Sequence, residues 1–160
     1  GAGIGGLLDD WYVAFAFCVW EGGRLPTEAE WEYAGAGGDE DRMFPYGPYE
    51  EPVDEFSCAS DNLQTDCFGL GEAVRGYGRW GHMDLAGSVG EWVLDEYAPY
   101  SGAECVDCAP FTSDHVVRLR RGGSWGSLAE YTRAAWRDGV DLDFPTSGST
   151  GSGFRCARSP

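Results

Sequence analysis

From Asp39 to Arg79 the chain sustains no apolar period, neither that of a helix nor that of a strand. Pro45, Pro48, Pro52 and several glycines mark loops there instead. So long an irregular run inside a compact domain stands only where function, disulfides or ions hold it. The 25 glycines point the same way, toward many turns and little regular structure. Disorder is a poor reading all the same, because hydrophobic residues make up 42% and aromatic residues 14% of the chain. At 160 residues it reads as one domain long enough to bury a core.

What could hold the loops is visible in the cysteines: Cys18, Cys58, Cys67, Cys105, Cys108 and Cys156. An even count in a loop-rich acidic chain fits a disulfide framework and an oxidising compartment, and hence a secreted, periplasmic or cell-envelope-exposed domain. Six cysteines allow fifteen pairings, and spacing selects none. Cys105 and Cys108 form a lone C-x-x-C, a weak zinc signal because a strong one needs two paired knuckles. A redox C-x-x-C would open a helix after a strand, whereas this one lies between Gly102 and Pro110.

The net charge of −16 repels phosphate backbones, so nucleic acid is a poor partner. It favours cations such as calcium or basic peptide segments, or it merely keeps the protein soluble. No apolar run reaches the length of a membrane span, and no signal peptide is visible at Gly1.

Trp11, Ala14, Phe15 and Cys18 recur at helical spacing and predict a helix ending near Gly22 and Gly23. "PTEAEWEYAG" predicts a second. Thr27 is its N-cap and Glu30, three residues on, completes a capping box. Glu28, Glu30 and Glu32 suit the positive end of the helix dipole, and Gly35 is expected to supply the left-handed stop. "EWVLDEY" from Glu91 to Tyr97 reads as a short strand. "VVRLRRGGSW" reads as a strand up to a Gly-Gly turn, "TRAAWR" from Thr132 to Arg137 as another, and "SGFRCAR" as a last one. Two N-terminal helices followed by short strands and long loops predict an α+β fold. The two Glu-Trp segments, at Glu30-Trp31-Glu32 and Glu91-Trp92, stand out in a chain with only two histidines.

Four segments in order, "AFCVWEGGRLPTEAEWEYA", "GRWGHMDLAGSVGEWVLDEY", "RLRRGGSW" and "GFRCA", resemble the formylglycine-generating enzyme family, also called the sulfatase-modifying-factor domain. The resemblance spans residues 11–158 and leaves residues 1–10 as an unmatched N-terminal segment. It implies a modified C-type-lectin-like α+β fold, with two N-terminal helices, short antiparallel strands and long loops. Because family members carry a strand region before the first helix, it also implies a partial domain or the end of a longer protein, otherwise monomeric. In the family pattern the cysteine of the first helix pairs with that of "GFRC", here Cys18 with Cys156. Cys58 with Cys67, and Cys105 with Cys108, are then the simplest remaining pairs.

The resemblance also carries an expectation about chemistry. Oxidase members bind copper(I) through two thiolates just after the "GGS" motif, because the soft ion prefers soft sulfur, and the site activates oxygen to oxidise a substrate cysteine. The matching positions here are Ser127 and Thr132, whose hydroxyls do not replace thiolates for copper(I). Copper is therefore not expected. A family-type iron site is not expected either, since His82 and His115 would both have to converge with a carboxylate. Calcium is the better metal expectation. The family's "GNVWEW" appears here as "GSVGEW", which offers Ser88 and keeps Glu91, and Asn62 in "SDN" lies in a second candidate loop. Against calcium, Glu91 could pair with a basic side chain such as Arg121.

Trp20, Trp31, Trp80, Trp92, Trp125 and Trp136 lie in or beside the matched motifs, and most are expected in the core. Trp125 and Trp136 could line a groove with Ser124, while Arg121 and Arg155 read as salt-bridged framework. The leading expectation is a degenerate, pseudoenzyme-like member of a bacterial, secreted type, binding a peptide, glycan or protein on the old substrate groove. The alternatives are an active metal-dependent oxidoreductase of the family and a plain structural domain.

Overall fold

The computed structural model describes residues 10–47, 77–100, 117–141 and 151–158. Among these described residues two helices, α1 (Trp11–Trp20) and α2 (Glu28–Ala36), precede four strands: β1 (Gly90–Glu96), β2 (Val117–Arg121), β3 (Asp138–Asp141) and β4 (Ser152–Phe154). Short 3-10 turns lie at Gly38–Glu40 and Ala129–Thr132. The strands form one sheet in the order β3-β2-β1-β4.

Both helices begin at a side-chain cap, and that of α2 is the one its sequence predicts. Asp10 accepts from the Tyr12 amide ahead of α1. At α2 the Thr27 hydroxyl accepts from the Glu30 amide at 3.2 Å, and the Glu30 carboxylate accepts from the Thr27 amide at 2.8 Å. A hydrogen bond from Arg24 holds the Glu30 carboxyl at about 2, against the cost of its partial burial. Thr27→Ala is expected to cost about 1 kcal/mol, read from urea unfolding. No loss of stability would mean the cap is redundant.

The end of α2 differs from expectation. The helix runs past Gly35 to Ala36, and Gly37 supplies the left-handed stop at φ 69°. Gly35 instead lies buried inside the helix, where a Cβ would sit 3.0 Å from the Trp31 ring and 3.5 Å from the Ala134 methyl. Close packing, not chain reversal, requires a glycine there.

β1 is buried on both faces, which is why its sequence alternates only loosely. Val93 joins Trp31, Leu85 and Leu119 in a core under α2. Its neighbour Trp92 points the other way, into a core with Trp11, Ala14, Cys18 and Leu25 under α1. Phe15, on the helix face expected to be buried, is exposed.

The sheet is mixed rather than wholly antiparallel. β1 pairs antiparallel with β2, Glu91 opposite Arg121, and β2 pairs antiparallel with β3. β4 returns parallel to β1, with Trp92 opposite Phe154. "TRAAWR" is not a strand: Thr132 ends a 3-10 turn, and β3 starts only at Asp138. The backbone of that segment is satisfied elsewhere, the Ala134 amide donating to the Met43 carbonyl at 2.8 Å.

Beyond β4, Arg24 and Ala157 exchange two backbone hydrogen bonds of 3.0 and 2.7 Å. Beside them Cys18 and Cys156 form a disulfide, the pair the family pattern implies. Cys58, Cys67, Cys105, Cys108, Asn62 and His115 lie outside the described residues.

Candidate functional site

The segment that carries the functional expectations leaves β2 through two glycines in the left-handed region, Gly122 at φ 89° and Gly123 at φ 67°. Neither admits a side chain. A Cβ on Gly122 would lie 2.9 Å from the Leu85 carbonyl oxygen, and one on Gly123 2.9 Å from that of Tyr131. The reversal aims the next residues into a tight turn. The Ser124 amide donates to the Ser127 hydroxyl at 2.9 Å, the two hydroxyls lie 3.1 Å apart, and the Ser127 amide donates back to the Ser124 carbonyl at 2.9 Å.

Thr132 closes the following 3-10 turn. It is fully buried, and its hydroxyl donates to the Ala129 carbonyl at 2.7 Å. Its methyl lies within 3.3 Å of where a Gly123 Cβ would be. Ser127 and Thr132 thus flank one Gly123–Ser124 backbone stretch, but each hydroxyl is engaged within the segment. Two hard, internally bonded oxygens do not fit copper(I), which selects thiolate sulfur.

Ser124 and Trp125 are brought together with Gly151, where an added Cβ would meet the Ser124 hydroxyl at 3.0 Å and the Trp125 indole nitrogen at 3.7 Å. Trp125 is exposed, and Trp136 stacks on Tyr131 with ring centroids 4.4 Å apart.

Glu91 sits on β1 and is buried, yet its partner is not Arg121. Arg155 forks onto it, Nε to Oε2 at 2.6 Å and Nη2 to Oε1 at 2.5 Å, and the Trp31 indole donates to Oε2 at 2.7 Å. Burial works to lower the Arg155 pKa, and the Glu91 contact more than reverses it. Both carboxylate oxygens therefore face a cation or a donor, so Glu91 as placed does not fit calcium, which needs free oxygens around it. Ser88 holds a left-handed backbone at φ 62° and offers its carbonyl to the Trp125 amide at 3.0 Å. Among the described residues no three His, Cys, Asp or Glu side chains gather as a metal site. His82 is half-buried, and burial followed by the nearby Arg155 charge lowers its pKa.

A second charged cluster forms around Arg121, which is salt-bridged framework as expected, but through partners the sequence does not indicate. Glu28, on the first turn of α2, is only 6% exposed. Arg137 forks onto it, Nε to Oε1 at 2.5 Å and Nη2 to Oε2 at 2.8 Å, and Arg121 Nη1 and the Tyr100 hydroxyl reach Oε1 at 3.2 and 3.0 Å. Arg121, fully buried, also donates to Glu32 and to the Ala134 carbonyl, each at 2.7 Å. Burial and the Glu28 and Glu32 charges push the Tyr100 hydroxyl up to about 12. The residues involved lie up to 109 positions apart, so no local motif marks them.

Next to this cluster the Asp95 carboxylate accepts from the Glu28 amide at 2.6 Å. Burial raises its pKa above 3.8, an effect the amide bond opposes and the Glu28 charge reinforces. A carboxyl raised on folding binds its proton more tightly in the native state, so its ionised form subtracts stability at neutral pH. Asp95→Asn keeps an acceptor and removes the charge. It is expected to raise Tm at pH 7, with the gain shrinking as the pH falls toward 3.8. Equal gains at pH 7 and pH 4 would contradict this account.

The tryptophans divide differently from expectation. Trp31 and Trp92 are core, together with Trp11, but Trp20, Trp80, Trp125 and Trp136 are exposed. Trp80 stacks on Tyr33, also exposed, rather than entering a core. Matched motifs mark chain position, and an indole in a loop motif need not face inward.

A family model for the "Sulfatase-modifying factor enzyme 1-like domain" matches residues 10–160. The "Inactive C-alpha-formylglycine-generating enzyme 2" of Mus musculus is 33% identical over 93% of this chain and 47% of its own length. The "Formylglycine-generating enzyme" of Streptomyces coelicolor is also 33% identical, over 92% of this chain and 50% of its own. Among solved structures, "Treponema denticola variable protein 1" superposes with a TM-score of 0.68 at 29% identity, covering 86% of this chain and 48% of that one. The chain thus spans about half the length of the curated relatives it matches. With the capped α2, the β1 Glu-Trp segment, the Gly-Gly reversal and "GFRC" all in family order, the chain belongs to the formylglycine-generating enzyme, or sulfatase-modifying factor, domain family.

Proposed function

We propose that this domain lacks the family's copper-dependent oxidation and acts as a secreted or envelope-exposed module that binds a peptide, glycan or protein ligand along the Ser124–Arg137 segment. Identity does not choose between the readings, because a relative named as the enzyme and one named as its inactive counterpart are both 33% identical. The donor set carries the choice. At the two thiolate positions stand Ser127, bonded to Ser124, and Thr132, buried and bonded to Ala129. Neither offers sulfur, and each hydroxyl is hydrogen-bonded within its own turn. The Cys18–Cys156 disulfide supports an oxidising compartment. Exposed Trp125, Leu128 and Trp136 supply apolar surface on the segment.

The test is a copper(I) titration of the folded, oxidised protein against a competing chelator, beside the Ser127→Cys/Thr132→Cys double variant. The wild type is expected to show no tight stoichiometric site, and the double variant to gain one. A tight one-to-one site in the wild type would overturn the reading and restore the oxidase alternative.

A further inference from the structure

We propose that Glu28 is the positioning residue of the Ser124–Arg137 segment, holding it in place through Arg121 and Arg137; this rests on the reading of that segment as the ligand-facing surface. The segment has two ends to secure. Its start is set by the Gly122–Gly123 reversal, packed against Trp31 and the Tyr131 backbone. Its far end has no strand partner before Asp138. There the backbone is held by arginine. Arg121 donates to the carbonyls of Ala134 and Ala135 at 2.7 and 3.5 Å, and Arg137 is itself part of the chain being held.

Both guanidiniums converge on one carboxylate. Glu28 takes the fork of Arg137 on its two oxygens and an N–H of Arg121 on one of them. Arg137 also donates to the Ala98 carbonyl at 2.8 Å, which ties the chain after β1 to the same point. Charge-assisted, bidentate contacts of this kind fix orientation as well as distance. Glu28 is in turn fixed from behind. Asp95 on β1 accepts its amide, and the Thr27 cap sets the helix start. A rigid path therefore runs from β1 through the first turn of α2 to the far end of the segment. Glu32 contributes less, since it meets Arg121 and, at 3.4 Å, the Tyr100 hydroxyl but not Arg137, and its side chain is 39% exposed. The arrangement assigns to an N-terminal helix the geometry of a loop about a hundred residues downstream.

Hydrogen–deuterium exchange of the full chain tests this with Glu28→Gln, an isostere that keeps the acceptor and removes the charge. The amides of Ser124, Ser127, Tyr131, Ala134 and Trp136 are protected by short bonds within and around the segment. They are expected to exchange about tenfold faster or more once the charge-assisted contacts are lost. The amides of Ala14 and Leu94, bonded to Asp10 and Pro26, are expected to keep wild-type rates. Acceleration spread evenly over all of these would show a merely structural role and overturn the proposal, as would no change in the segment. Should Glu28→Gln not fold, Arg137→Gln removes one arm alone, and the same selective acceleration is expected at Tyr131 to Trp136. Its absence there would equally overturn the proposal. Tight copper(I) binding by the wild type would sink the functional reading without altering these exchange rates, so the two failures are distinguishable.

Discussion

Replacing Cys18 and Cys156 together by alanine is expected to lower the unfolding free energy by as much as about 5 kcal/mol, the chain-entropy value for so long a loop. The bridge closes a sequence separation of 138 residues, nearly the whole chain. Without it the unfolded ensemble regains the freedom of both ends, while the native state keeps the Arg24–Ala157 backbone bridge and the Arg155–Glu91 pair. The native fold should therefore survive, with Tm lower by roughly 10–20 °C for a domain of this size. Cys18 is fully buried beside Trp11 and Trp92, so alanine also leaves a small void. Urea unfolding of the two proteins under identical non-reducing conditions measures the difference. A change under about 1 kcal/mol would mean that the unfolded chain is already compact enough to make the cross-link redundant.

Trp31→Ala is expected to cost about 3–5 kcal/mol, the range for losing a large core aromatic. Trp31 is 1% exposed and fills the space between α2 and the sheet beside Leu85, Val93 and Leu119. Two glycines, Gly35 and Gly122, are shaped to its ring, so little can move in to fill the cavity. Trp31→Phe separates packing from polarity. It keeps most of the ring and removes the indole donor to Glu91, for an expected loss of about 1.5–3 kcal/mol as a hydrogen bond to a charged group. If the phenylalanine variant matched the wild type within about 0.5 kcal/mol, the Glu91 contact would contribute nothing and packing alone would explain the site.

That contact also explains the pair of Glu-Trp segments. Trp31 of the first donates to Glu91 of the second, 60 residues away. Each segment is legible as a motif, but their meeting is not. The same holds for Glu91 itself. Arg121 is the kind of basic partner the sequence suggests for Glu91, and the two residues do face each other across β1 and β2. The sheet instead sends Arg121 to Glu28 and Glu32, and brings in Arg155 from beyond β4. Cross-strand register gives Cα proximity, whereas the ends of long side chains go where burial leaves carboxylates.

Local chemistry explains what was readable. The α2 start needs only Thr27 and Glu30, three residues apart, and the strand ending in Gly122–Gly123 needs only backbone sterics. The stop at Gly37 rather than Gly35 was not readable, because two nearby glycines satisfy the same local rule and only the Trp31 ring distinguishes them. "TRAAWR" failed as a strand for a related reason: its backbone partner, Met43, lies on a different part of the chain.

By itself the sequence determined the Thr27–Glu30 cap of α2, the glycine reversal, the family order of motifs and the absence of sulfur at positions 127 and 132. These depend on residue identity and short spacing, which a chain carries whether folded or not. Only the tertiary structure decided that Arg121, Arg137 and Tyr100 converge on the buried Glu28 carboxylate, that Arg155 claims Glu91, and that β4 returns parallel to β1. Those outcomes depend on which charges lose their water together, a condition that exists only once distant segments have packed.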